Sequence, residues 1–196
     1  GSIWTAQTVA FPAWPLVTDR AAIHWWEFSS TDGSGIQDGF IQDSNEDVNT
    51  RMHYYYPSIA VNKDNDVMIG FSCSSKSNYV STCYTTRRSS DPAGQTDPVT
   101  MIKAGSGVYT GPRWGDYSAT VVDPLDDTKF WTIQEYASGT NQVGTWWGQV
   151  AKEIDTTSPE VSSANAQSSS AVRIVFNEAM LNNAALRDTA NYSFSG

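Results

Sequence analysis

The sequence predicts an all-β fold assembled from a repeated antiparallel unit, and three observations lead there. Helical periodicity is almost absent. Short β-branched and aromatic runs alternate instead with Gly, Pro, Asp and Asn clusters, the pattern of strands and turns. Aromatic residues make up 12% of the 196-residue chain, with eight Trp, so a core can be buried, whereas disordered chains are aromatic-poor. The third observation is internal repetition.

Ile3 to Val9 opens the series as a strand, and Ile23-His24-Trp25-Trp26-Glu27 and Gly35 to Asp43 follow it. Pro57 to Asn62, the turn Lys63-Asp64-Asn65-Asp66 and the strand Val67 to Ser72 begin a longer unit. Cys83 to Arg87 and Val99 to Ala104 complete it. About sixty residues on, Tyr117 to Val122, the acidic turn Asp123 to Asp127, Lys129 to Tyr136 and Thr145 to Gln149 repeat its first three strands. A unit of four antiparallel strands at this interval is what one β-propeller blade requires. Residues 3 to 43 then supply the second to fourth strands of one blade, 57 to 104 a whole blade, and 117 to 151 the first three strands of another. A β-sandwich with chance self-similarity is the alternative.

Composition shifts near residue 155. The propeller segment is expected over 1–154 and a polar linker ending in Pro over 155–159. Over 160–196, two alternating strands (Glu160 to Gln167, Ala171 to Asn177) and the start of a third at Asn191 to Phe194 are expected. So short a tail cannot complete a sandwich of about seven strands.

Lys plus Arg number 12 against 21 Asp plus Glu, a formal charge of −9. A nucleic-acid backbone or an anionic membrane would be repelled, so neither is expected as partner. No apolar run approaches the ~20 residues needed to cross a bilayer. Gly1-Ser2 has the look of a cloning remnant, so a native start could lie upstream. The two cysteines, Cys73 and Cys83, flank the polar loop Ser74 to Tyr79. In a hairpin centred on Asn78 their sulfurs would face each other, and a disulfide there agrees with a secreted or cell-surface protein. Two free thiols are the alternative.

Arg113-Trp114-Gly115-Asp116-Tyr117-Ser118, running on through Val121-Val122-Asp123-Pro124 to Phe130 to Tyr136, resembles bacterial secreted β-propeller proteins of the sialidase-like group. The tail, with Pro159, Val172 to Ala179 and Asn191-Tyr192, resembles the start of a bacterial Ig-like domain. Both resemblances imply a piece of a longer exported protein. Such propellers normally need six or more blades. The Asp-box turn of sialidases survives only as the degenerate Ser30 to Gly35, and the full sialidase set of three arginines, a Tyr–Glu pair and an acid Asp is not supplied.

Blade connectivity would gather Arg113, Trp114, Asp116, Glu135 and Tyr136 at one rim, with Arg51, His53, Tyr54, Tyr55 and Tyr56 at the neighbouring rim. Asp116 and Glu135 are the candidate catalytic pair for glycoside hydrolysis. Their structural alternative has Asp116 accepting backbone N–H bonds at a Gly115 turn and Glu135 paired with Arg113. Arg113, Trp114, Tyr136, His53 and Tyr54 are the candidate ligand-binding residues, the aromatic ones able to stack on sugar rings. The adjacent pairs Trp25-Trp26 and Trp146-Trp147 place one ring on each face of a strand, which suits packing between blades. No His/Cys/Asp cluster has zinc spacing and no Gly-rich phosphate loop precedes a helix, so no metal ligands and no cofactor are expected. Calcium at the acidic turns Asp64 to Asp66 and Asp123 to Asp127 is the exception considered. The expected function is recognition or scaffolding toward carbohydrate without catalysis, with a sialidase-like glycosidase as the alternative. Open blade faces and strand edges predict self-association, two chains closing a six-bladed ring.

Overall fold

The computed structural model describes residues 1–12, 17–151, 161–168 and 171–176. The chain divides into two compact units, Gly1–Glu153 and Ile154–Gly196. Among the described residues there are strands and no helix, every strand pair is antiparallel, and no sheet closes on itself.

In the larger unit a first sheet joins β1 (Ser2–Phe11), β2 (Arg20–Ser29) and β3 (Gly35–Ile41) in that order. A central sheet of four strands follows: β4 (His53–Val61), β5 (Val67–Ser74), β6 (Ser81–Arg87) and β7 (Thr100–Lys103). The third sheet is β8 (Ala119–Val122), β9 (Lys129–Gly139) and β10 (Gln142–Ala151). Strand alternation makes β5 two-faced. Val67, Ile69, Phe71 and Cys73 look toward the first sheet, while Gly70 and Ser72 look toward the third.

The seam between the first and central sheets is apolar. Ile23 and Trp25, both fully buried, and Ile41 meet Tyr54, Val67, Ile69 and Phe71. Trp4 stacks on Trp25 at 5.6 Å between ring centroids. Each such side chain contributes roughly 1.5–3 kcal/mol through burial.

The seam between the central and third sheets is hydroxyl-rich. Ser58 Oγ meets Thr120 Oγ1 at 2.7 Å, and Thr120 meets Thr132 at 2.9 Å. The fully buried Gln134 amide donates to Ser58 (2.8 Å) and Thr132 (2.9 Å) and accepts from Ser118 Oγ at 2.7 Å. Gly70 permits this contact. A Cβ there would lie 2.1 Å from Thr132 Oγ1 and 2.6 Å from Gln134 Nε2.

The repeat extends to the turns. Asn62 Oδ1 accepts the N–H groups of Asp64 and Asp66, and Asp123 Oδ1 accepts those of Leu125 and Asp126. Each is an Asx-type turn that closes a hairpin. The two turns also touch: Asn62 Nδ2 donates to Asp127 O at 3.0 Å and Lys63 N to Asp127 Oδ2 at 3.1 Å.

Two expectations change in detail. The β5–β6 register pairs Cys73 with Ser81 and Phe71 with Cys83, so the hairpin is centred one residue earlier than Asn78. The cysteines are therefore diagonal neighbours on one face, and they are joined as a disulfide with Cα atoms 6.0 Å apart. The Trp pairs do alternate, but only Trp25 is in the core. Trp147 is 64% exposed, because the outward faces of the first and third sheets are open to solvent.

In the smaller unit β11 (Val161–Ser168) and β12 (Ala171–Phe176) form an antiparallel hairpin. The expected linker at 155–159 and the expected third strand at 191–194 lie outside the described residues.

Candidate functional site

The segment leading into β8 crosses the end of β9, and this crossing brings most of the candidate residues together. Gly115 holds φ at +91°, a region open to glycine, and a Cβ there would lie 2.3 Å from the Tyr56 ring. In that conformation its N–H points at Glu135 Oε2, 2.6 Å away. Glu135 is only 4% exposed. Arg113 and Asp116 form a surface ion pair at 2.7 Å. The carboxylates therefore both serve structure, with partners exchanged relative to the structural alternative: Glu135 caps the Gly115 turn and Asp116 takes Arg113.

Trp114 is anchored in the corner. Its Nε1 donates to Ser72 Oγ at 3.0 Å, and its ring meets Tyr109 edge-on at 4.9 Å. Tyr136 lies apart from this corner, against Trp146 and beneath the Lys103 ammonium of β7, which stands 4.4 Å from the Trp146 ring and 5.5 Å from the Tyr136 ring. His53 Nδ1 accepts the Ala21 N–H at 3.1 Å and so ties the first sheet to the central one. Tyr54 is a core residue, packed edge-on against Phe71, and is corrected from the rim to the interior. Burial, with the nearby Asp43 charge, raises its phenol to a pKa of about 12. Arg51 is also buried. Its guanidinium donates to the carbonyls of Asn45 and Glu46 and pairs with Asp19.

An open cleft of about 380 Å³ adjoins the Trp114 corner, and sequence reasoning missed it. One lip is the loop from Ser74 to Val80, above the disulfide. The other is Gly107, Val108 and Tyr109. Both lips are fixed. Asn78 Nδ2 donates to Ser75 Oγ at 3.0 Å, and Val80 O accepts the Ala137 N–H at 2.9 Å. Opposite, Ser106 N donates to Ala137 O, Asn141 N to Val108 O, and Thr110 N to Asn141 Oδ1. The cleft presents serine hydroxyls, the Asn78 amide, the Lys76 ammonium and two tyrosine rings, Tyr79 being 48% exposed. Its one legible sign in the sequence is a Tyr inside a serine-rich loop closed by the two cysteines.

Among the described residues no group of three or more His, Cys, Asp or Glu side chains is placed to hold a metal ion. In the acidic turns considered for calcium the carboxylates have protein partners. Asp123 accepts from Leu125 N, Asp126 N and Trp131 Nε1, and Asp126 from Thr128 and Lys129. These donors lower both carboxyl pKa values, Asp126 to about 2. Comparison of the chain with protein-family models, with curated proteins and with solved structures finds no match.

Proposed function

We propose that this chain belongs to an extracellular β-propeller that faces carbohydrate and acts in recognition or scaffolding rather than catalysis. The propeller reading draws support from three antiparallel sheets stacked in chain order, the central one with four strands in sequence. Read as blades, the first lacks its inner strand and the third its outer one. The extracellular reading draws on the disulfide, a bond that persists in oxidising compartments. The β11–β12 hairpin accords with the start of an Ig-like domain.

One observation carries the carbohydrate reading: the cleft between loop 74–80 and residues 107–109. Hydroxyl and amide groups there suit the donor and acceptor pattern of a sugar, and Tyr79 and Tyr109 offer apolar ring faces beside them. Trp114 backs this cleft through Tyr109. The hydrolase reading is weaker, because Glu135 is held by Gly115 and Asp116 by Arg113.

A glycan array followed by calorimetric titration of the best saccharide tests the proposal. Binding that falls at least about tenfold in Tyr79→Ala and is unchanged in Asp116→Asn supports it. No binding to any saccharide rejects it. Turnover of chromogenic glycosides that is lost in Asp116→Asn and Glu135→Gln would establish the hydrolase instead.

A further inference from the structure

The sheet stacking has an unused continuation at each end. Seen from the central sheet, the far face of the third sheet carries Val121, Trp131 and Trp147. Val121 is 54% and Trp147 64% exposed, and the two tryptophan rings lie 5.3 Å apart. The far face of the first sheet carries Trp26, Ile36 and Phe40, the last two 54% and 42% exposed. His24 is sandwiched there, 3.7 Å from the Trp26 ring and 3.9 Å from Phe40, with its Nε2 2.6 Å from Asp38. Contiguous exposed aromatic surface on both ends of one stack marks association faces.

The two ends differ, and the existing seams show how such ends meet. The first sheet lays a Trp- and Ile-bearing face on the central sheet, and the third repeats the stacking on the opposite side. We infer that a second copy of this chain occupies both open faces, head to tail: the Trp147 face of each copy packs on the Phe40 face of the other. Such a pair has two identical seams related by a two-fold axis, residue i of one copy meeting residue j of the other and the reverse. It closes six sheets into a ring, within the ~4–8 blades that propellers use. The inference is independent of the carbohydrate reading.

Sedimentation velocity over a dilution series tests it, with the intact chain and the single-face variants Trp147→Lys and Phe40→Lys. The intact chain should sediment as a dimer. Each variant should dissociate at concentrations on the order of tenfold higher or more, since lysine at a seam carries an unpaired charge out of water. An equimolar mixture of the two variants should associate more tightly than either alone, because one of its two seams contains only native faces. Val121→Lys and Ile36→Lys, on the same faces, repeat the experiment should either first variant fail a circular-dichroism check of folding. A monomer at all concentrations overturns the inference. So does a dimer that one face variant abolishes and the other leaves intact, since that pattern belongs to like faces meeting.

Discussion

Glu135 receives the Gly115 N–H at 2.6 Å, and the Tyr56 ring fills the space that any side chain at 115 would need. The carboxylate is thus a capping group for a left-handed turn, and the turn sets the path of the chain into β8. Glu135→Gln keeps an acceptor oxygen and should leave stability nearly unchanged. Glu135→Ala leaves a buried donor unpaired and should cost about 1–3 kcal/mol. Gly115→Ala meets both the positive φ and the Tyr56 ring and should cost at least as much. Urea unfolding of the three variants checks the order; a Gln variant as unstable as the Ala variant would contradict it.

Gly70 is the space on which the second seam depends. In Gly70→Ala the new methyl overlaps Thr132 and Gln134, so the hydroxyl network must open or the third sheet must move. Overpacking of this kind costs about 1–3 kcal/mol. Hydrogen exchange should show the loss of protection concentrated in β8 and β9, with β1 and β2 unaffected.

Acid sensitivity should trace to the β8–β9 turn. Lys129, then Thr128, hold the Asp126 carboxyl at about 2, below the ordinary 3.8. A depressed folded-state pKa stabilises the fold above the unfolded value, and that stabilisation is lost as pH falls from about 3.8 toward about 2. Asp126→Asn should flatten this part of a Tm-against-pH curve without altering its neutral plateau. An unchanged acid limb would exclude Asp126 as a contributor.

At the alkaline end Tyr54 acts in the opposite sense. Burial raises its phenol from 10.0 to about 12, so the folded state keeps a proton that the unfolded chain releases. The resulting stability is complete below pH 10.0 and is lost as pH rises toward about 12. Tyr54→Phe should remove that loss. Phenolate absorbance of the native protein should show a tyrosine titrating late.

Reducing Cys73–Cys83 releases a loop of 10-residue separation. Chain entropy puts the cost at roughly 2–3 kcal/mol. The Cys73→Ser/Cys83→Ser double variant should unfold at correspondingly lower urea. If the adjoining cleft binds sugar, affinity should fall along with the order of the 74–80 lip.

The strands of the larger unit are legible in the sequence because alternation and turn chemistry agree along it. Asn62 and Asp123 stand at equivalent places in the repeat, and both close their hairpins through one side-chain oxygen. The site is less legible, since it depends on where side chains end rather than on where strands run. Nothing in residues 113–116 says that Arg113 reaches three residues along its own chain to Asp116 while Glu135 is drawn inward to a backbone donor. Tyr54 was misplaced for a related reason. Among three consecutive tyrosines, only the pleat decides which one enters the core, and the positive φ of Tyr56 disrupts simple alternation. The cleft is formed by loops distant in sequence, Ser74 to Val80 and Gly107 to Tyr109, and such proximity leaves no periodic trace.

The contrast between the two internal seams has a mechanical consequence. Greasy surfaces tolerate sliding, because Trp25 shifted by a few tenths of an ångström still rests on carbon. The chain of Ser58, Thr120, Thr132, Gln134 and Ser118 behaves as a key in a slot: displaced by one residue, it would forfeit every bond at once. Under load, or during the drift of sequences over time, the first sheet should yield gradually by creep. The third should hold its alignment until it lets go.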